Sequence, residues 1–293
     1  ISGLHGLFPT LKIIKYSKKI AIANKESIIC GWKLISRELK KNKTTFIPVD
    51  SEHFSIFKLI DGEPHQQIKK IILTASGGPF LKKKIDKKIT VSDALNHPNW
   101  KMGRKITIDS ATMMNKVFEV IEAKKIFNIN IKNIEILINP NSYIHAIVVY
   151  NNGTIKFLAH ETKMDIPIFN SIYEIHEKKY NTEAIDLNKI NNLKLSIPNI
   201  KKFKSLTFLK LIPNKDSLFE TILISVNDEL VKMFLNKEIN FNELHQFLFK
   251  IINFKIFKKY CNVKPNSIKQ IFSMINLSKQ IVNDYVRKKK QND

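Results

Sequence analysis

At 293 residues, with 43% apolar and 10% aromatic side chains, the chain is long and hydrophobic enough to bury a core in one large domain or two. No apolar run approaches the ~20 residues of a membrane span, and the opening ISGLHGLFPTLKII has neither a basic leader nor a small-residue cleavage site. A formal charge of +23 suits an anionic partner, but lysine is dispersed through almost every segment with Asn and Ile, which argues for a solvated surface rather than a nucleic-acid or membrane patch.

In chain order, KKIAIANKES (Lys18 to Ser27) predicts a short buried strand running into a helix, with Asn24 as N-cap and Ile28, Trp32, Ile35 and Leu39 on its apolar face. TTFIPVDSEH repeats the plan with a strand ending near Val49. IKKIILTASGGPF gives a third strand, stopped by Ser76-Gly77-Gly78-Pro79. In RKITIDSATMMNKVFEVIEAKKIF the pattern predicts a strand over Ile106 to Ile108, a cap at Asp109 or Ser110, and a helix whose core face is Met114, Val117 and Ile121. SYIHAIVVYNNGTIKFLAH alternates on both sides of Asn151-Asn152-Gly153 and predicts an antiparallel hairpin joining the sheet. Residues 178 to 215 are polar and predict a long surface connection. After them SLFETILISVNDELVKMFL, FNELHQFLFKIINFKIFKKY and SIKQIFSMINLSKQIVNDYVRKKK predict a small helical bundle, with Arg287 to Lys290 a frayed tail. Strands alternating with helices imply an α/β core. The two cysteines, Cys30 and Cys261, support neither a disulfide framework nor a zinc site.

Asp50 and Glu52, two apart just past a strand, would point to one side if the strand continues, at the sheet end where ligands bind in open α/β folds. Oxygen ligands of this kind suit Mg²⁺ or Mn²⁺; a polar turn with an N-cap is the competing reading. Asn115, Lys116 and Glu119 share one arc of the later helix, so Glu119 offers a third acid. Ser110, read as sitting at that helix's N-terminus, and the Ser76-Gly77-Gly78 turn are two candidate phosphate cradles. In NHPNWKMGRK, Trp100 and Met102 read as a lid or as a loop anchored on the core. His97 there either bonds a substrate oxygen or caps a turn.

The strings GLFPTL, ANKES, PVDSEH, SGGPF and HPNWKMGRKITIDSATMMNK resemble the 1-deoxy-D-xylulose 5-phosphate reductoisomerase family over residues 3 to about 170. The C-terminal part is similar in layout and in SVNDELV, Ser225 to Val231. The resemblance implies a metal- and NADPH-dependent enzyme of non-mevalonate isoprenoid synthesis that converts 1-deoxy-D-xylulose 5-phosphate into 2-C-methyl-D-erythritol 4-phosphate. It implies that Asp50, Glu52 and Glu119 hold Mg²⁺ or Mn²⁺, and that Ser76, Ser110, Asn115 and Lys116 fix the phosphate with His97 close by. Lys25 and Ser51 match substrate-contacting positions, Asn24, Glu26 and Gly103 cofactor-contacting ones, and Trp100 with Met102 the mobile lid. Glu52, Glu119, His97 and Lys116 carry the catalytic assignment.

The fold class so implied is α/β: the end of a Rossmann-type NADPH domain (1–48), an α/β catalytic domain with a mixed sheet (49–177), a linker (178–215) and a C-terminal helical bundle (216–293). The Gly-rich nucleotide turn of the family is not in the sequence, and the chain opens on Ile1 rather than Met. An N-terminally truncated fragment with weak NADPH binding and little turnover is therefore expected. A homodimer and a plastid (apicoplast) location are further implications of the resemblance, the latter in keeping with the Lys/Asn/Ile bias. Two other readings are a basic nucleic-acid-binding module, which needs clustered Lys/Arg with stacking aromatics that the sequence does not display, and a non-catalytic dimerising fragment.

Overall fold

After the short helix Leu7–Ile13 (α1), the apolar runs Lys19–Ile22 (β1) and Thr45–Pro48 (β2) pair in parallel, Ile20 opposite Phe46 and Ile22 opposite Pro48. A parallel pair needs a crossover, and Lys25–Asn42 (α2) supplies it. Asn24 caps α2 by accepting the Ser27 N–H at 2.7 Å, and Lys43, left-handed at φ 54°, ends it by donating to Leu39 and Lys40 carbonyls. The expected buried strand is open on one side: in β1 only Ile22 is buried, and Ala21 is exposed. The computed structural model describes residues 1, 3–86, 88–173, 178–182 and 186–292.

Ser51–Leu59 (α3) follows β2 directly, so Asp50 and Glu52 belong to a helix start and not to a continued strand. Ile68–Ala75 (β3) is the central strand of a second, mixed sheet ordered β4-β3-β5-β6, where β4 is Ile134–Ile138, β5 Ile144–Tyr150 and β6 Ile155–Ala159. β3 runs parallel to β4 and antiparallel to β5, and the predicted hairpin joins β5 to β6. Strand β4 was not expected from the Asn-rich NINIKNIEILINPN. Its Ile134 and Ile138 are buried, while Glu135, its one polar residue, is exposed.

Between β3 and β4 lie Val91–Leu95 (α4), Arg104–Ala111 (α5) and Met114–Ile126 (α6). The strand expected over Ile106 to Ile108 is therefore helix. Thr107 N–H donates to Gly103 at 3.1 Å and Thr112 N–H to Ile108 at 3.0 Å, and burial of Thr107, Ile108 and Ala111 outweighs the local β-branched preference. Ser110 consequently sits in the last turn of α5 rather than at a helix N-terminus. α6 lays Val120, Ala123 and Phe127 on the sheet beside Ile71, Leu73 and Val148. Ile56 of α3 joins the same cluster, and Tyr150 Oη donates to Leu59 O at 2.7 Å.

Asp165–Ile172 (α7) and Leu187–Asn191 (α8) lead to a 3₁₀ stretch, Lys204–Leu211, in which Ser205, Leu206 and Phe208 are buried, as is the preceding Phe203. That part of the expected surface connection is core. The boundary set at 177 falls outside the described residues. Leu218–Leu235 (α9) is buried almost all round, and packs with Phe241–Ile252 (α10) and Ile268–Asn292 (α12) as well as with α2 and α5. The second amphipathic stretch is not one helix: it breaks at Asn253–Phe254 before Lys255–Lys258 (α11). The basic run Arg287 to Lys290, expected to fray, is helical to the end of α12.

Candidate active site

The starts of α2 and α3, the end of β3 and the first turns of α6 enclose a cavity of about 280 Å³. Asp50, at the N-cap of α3, leaves its side chain uncapped and turned to Lys25 Nζ (2.8 Å) and His53 Nδ1 (3.0 Å). Glu52, in the first turn, accepts from Ser51 Oγ (2.6 Å) and Lys116 Nζ (2.8 Å). Glu119 reaches the same point from α6, paired with Lys116 and Asn115 and 3.3 Å from Lys25 Nζ. Oxygens of Asp50, Glu52 and Glu119 lie within 4.8 Å of one another.

Three carboxylates this close repel, and the shifts show how the charge is held. Burial pushes Asp50 up, but Lys25 and His53 overcome it and hold the carboxyl well below its ordinary range. Glu52 is likewise pushed up by burial and brought below its usual value by Lys116. Glu119 is raised, by burial and then by Glu52. Lys25 and Lys116, buried but facing carboxylates, both titrate above an ordinary lysine. Glu119 Oε2 is buried without a hydrogen bond, in ion-pair contact with Lys116 alone. An all-oxygen set with one under-satisfied carboxylate oxygen fits a hard divalent cation such as Mg²⁺ or Mn²⁺.

At the other end, Gly77 (φ 85°) and Gly78 (φ 63°) turn the chain after β3, and Gly78 N–H donates to Ser76 Oγ at 3.1 Å. A Cβ on Gly78 would stand 2.8 Å from Ser110 O, so only glycine lets this turn lie against the end of α5. Ser76, Ser110, Asn115 and Lys116 all line the cavity. Ser110 Oγ is free of hydrogen bonds among the described residues, whereas Asn115 and the Lys116 ammonium are turned to Glu119. Of the two roles expected for it, His97 takes the turn-capping one, and its other nitrogen meets a protein hydroxyl at the cavity wall. Its Nδ1 accepts from Asn99 N (3.2 Å) and Trp100 N (3.0 Å), which leaves Nε2–H to donate to Ser76 Oγ at 3.1 Å. Burial holds the ring neutral, with a pKa of about 4.

Trp100 and Met102 form one wall of the cavity, Trp100 edge-on to His145 at 6.0 Å. Asn99 ties this loop to the β4–β5 connection through Pro140 O (2.7 Å) and Ser142 Oγ (2.8 Å). The three cofactor-matched positions, Asn24, Glu26 and Gly103, converge on a second, open cleft of about 1120 Å³. Ala23, Glu26, Lys105 and Ile106 line both spaces. Asn24 Nδ2 donates to Ile1 O and Gly3 O, both at 2.8 Å, so it anchors the N-terminal segment as well.

Sequence reasoning missed four partners of this site. His53 is fully buried between Asp50 and Glu119 O (2.9 Å); burial opposes its charge, but Glu122 and Asp50 lift its pKa to about 9. Glu122, three residues after Glu119, faces His53 and Lys25, and burial raises it to about 7. Lys105 gathers Glu26 (2.9 Å), Asp109 (3.0 Å) and Asp228 (2.9 Å) from three helices. His145 stacks on His160 at 3.7 Å. The i+3 spacing of His53 from Asp50 and of Glu122 from Glu119 was the available signal for the first two.

Family models described as 1-deoxy-D-xylulose 5-phosphate reductoisomerase and its C-terminal domains match residues 1–31, 46–127 and 160–281. The enzyme of that name from Pelagibacter ubique (strain HTCC1062) is 57% identical over 289 residues, covering 98% of this chain and 72% of the relative. The one from Clostridium tetani (strain Massachusetts / E88) is 39% identical over 291 residues, 99% of this chain and 73% of the relative. A crystal structure of DOX-P reductoisomerase in complex with NADPH, fosmidomycin and magnesium superposes with a TM-score of 0.92 at 31% identity, covering 100% of this chain and 76% of that one. The Zymomonas mobilis enzyme in complex with NADPH gives 0.85 at 30% identity, over 98% and 73% of the two chains. The chain belongs to the 1-deoxy-D-xylulose 5-phosphate reductoisomerase family.

Proposed function

We propose that this cavity performs the family reaction, the NADPH-dependent rearrangement and reduction of 1-deoxy-D-xylulose 5-phosphate to 2-C-methyl-D-erythritol 4-phosphate. The observation that carries the reading is the convergence of Asp50, Glu52 and Glu119 across a lidded cavity from the Ser76 turn and the free Ser110 hydroxyl. Such a cavity suits a phosphate at one end and a pair of chelated oxygens at the other. Asp50, Glu52 and Glu119 would hold Mg²⁺ or Mn²⁺, which supplies Lewis-acid polarisation of adjacent carbonyl and hydroxyl oxygens. Asn24, Glu26 and Gly103 line the cleft that would receive NADPH, which when bound would be the hydride donor.

The chain's own groups then bind, orient and shield. Lys25 and Lys116 keep their protons at Nζ, so they act as donors and as positive charge rather than as bases. His97 is neutral and presents Nε2–H through Ser76 to the phosphate end. Trp100 and Met102 exclude water from the cavity they wall. Distant phosphate contacts of this kind orient the reacting carbons.

A homodimer is supported by edge strand β6, which exposes Ile155 and Phe157. A plastid location is supported by the compositional bias alone. The experiment is a substrate-dependent NADPH-oxidation assay with added Mg²⁺ or Mn²⁺, run beside an NADPH titration. Turnover abolished by Glu119→Gln with the fold intact is expected, and activity retained by that variant would refute the assignment of the carboxylates.

A further inference from the structure

On the far side of the Gly77 turn, the loop after β3, the 3₁₀ stretch Lys204–Leu211 and α10 enclose a groove of about 930 Å³. Lys84, Lys201, Lys202, Lys204 and Lys250 line it, and no carboxylate does. Among the described residues, Lys84, Lys201, Lys204 and Lys250 have no acidic partner and are exposed. Elsewhere the buried lysines of this chain are paired, as Lys25, Lys116, Lys124 and Lys125 are. Like charges gathered on one concave wall repel, and a multivalent anion relieves that repulsion more than dispersed counterions do. The groove also has an apolar side: Phe249 stacks one face on the buried Phe208 at 4.3 Å and lines the groove, as does Ile85. A flat apolar group would lie there while phosphates meet the amines.

We propose that this groove binds an organic polyphosphate carrying a flat ring system, of the nucleoside triphosphate kind, and that its occupancy is felt at the Gly77 turn. The link is short. Lys202 Nζ donates to Leu81 O at 2.9 Å, and the Leu81 side chain lies so close to Gly77 that a Cβ there would stand 2.7 Å from Leu81 Cδ1. An anion that draws Lys202 away frees the Leu81 carbonyl behind the turn that lines the active-site cavity. This coupling, unlike the binding itself, rests on the function proposed above.

Calorimetric titration with ATP and with inorganic tripolyphosphate, in EDTA and at about 0.15 M salt, tests the binding without any need for turnover. ATP is expected to bind about tenfold tighter than tripolyphosphate through ring stacking, and Lys204→Ala with Lys250→Ala to weaken it about tenfold, while Lys116→Gln leaves it unchanged. Lysine acetylation mapped by mass spectrometry on the unaltered chain should show Lys84, Lys201, Lys204 and Lys250 protected by ATP. Equal affinity for tripolyphosphate, unaltered binding by the double variant, loss of binding in Lys116→Gln, or displacement of ATP by a short DNA duplex would each overturn the site. With excess Mg²⁺, ATP should raise the KM for the phosphorylated substrate about fivefold in the parent chain and not in the double variant; an unmoved KM with binding intact overturns the coupling.

Discussion

The imidazole of His53 ties one site carboxylate to the backbone of another site residue, Nδ1 lying 3.0 Å from Asp50 Oδ1 while Nε2 donates to the backbone oxygen of Glu119 at 2.9 Å. One buried ring thereby fixes the start of α3 against the middle of α6, the two elements whose side chains must meet around a cation. Glu122 lies behind it, 3.5 Å from Nδ1.

Replacing His53 by Gln should therefore act on metal affinity before it acts on the fold. Outer-layer partners of metal ligands are worth on the order of 10–100-fold in affinity. A Mn²⁺ titration of His53→Gln should show a dissociation constant raised by that factor, with the phosphate end unaffected. An unchanged constant would mean that Asp50 is held by Lys25 alone.

Lys25 places one ammonium between Asp50 (2.8 Å), Glu119 (3.3 Å) and Glu122 (3.6 Å). In the absence of a cation it offsets much of the charge there, so Lys25→Met should destabilise the metal-free protein by roughly 3–5 kcal/mol, the usual result of stranding a buried charge. A divalent ion restores part of that loss. The rise in Tm on adding Mn²⁺ should therefore be larger in Lys25→Met than in the parent, and equal increments would show that lysine and metal do not share the same charge.

The sequence made legible whatever depends on short-range pattern. The Asn24 cap, β3 with its glycine stop and the hairpin at Asn152-Gly153 all follow from local rules, and the carboxylate set followed from spacing and resemblance. Ile106 to Ile108 did not, because three residues with strand preference belong to a helix only once Thr107, Ile108 and Ala111 are buried. β4 was hidden for the opposite reason: its Asn-rich flanks dilute a strand whose partner, β3, lies some sixty residues earlier. Nor could the lysine groove be read, since Lys84, Lys201 to Lys204 and Lys250 come from three distant segments and cluster only when folded. Buried polar partners such as His53 and Glu122, and the half-buried Lys105, look like ordinary surface residues until the packing around them is known.

Gly62 and Gly78 separate two effects of adding a methyl group. Both have positive φ, 73° and 63°, but a Cβ on Gly62 meets nothing within 4 Å, whereas on Gly78 it meets Ser110 O at 2.8 Å. Gly62→Ala should cost about 1 kcal/mol from backbone conformation alone. Gly78→Ala should add roughly 1–3 kcal/mol of overpacking and, by moving the Ser76 turn, raise the KM for the phosphorylated substrate. Denaturant unfolding of the two variants measures the difference; equal losses would show that the turn yields without strain.

His145 should make stability fall toward acid pH. Its ring is 2% exposed, Nε2–H donates to His160 O at 3.1 Å, and the two rings stack. Burial, followed by the neighbouring His160, lowers its pKa to about 4. An unfolded histidine takes up a proton near pH 6.5, so below that value the unfolded chain binds a proton that the folded chain refuses. The contribution is complete above about pH 6.5 and is lost as pH falls toward 4, by on the order of 3 kcal/mol in all. His145→Gln has no such proton to refuse. Its unfolding midpoint in denaturant should lie below that of the parent at pH 7.5, and the gap should narrow steadily as both are taken toward pH 4. Parallel curves would mean that the ring is protonated within the fold, which the stack on His160 and the absence of a facing hydrogen-bonded carboxylate among its described partners both oppose.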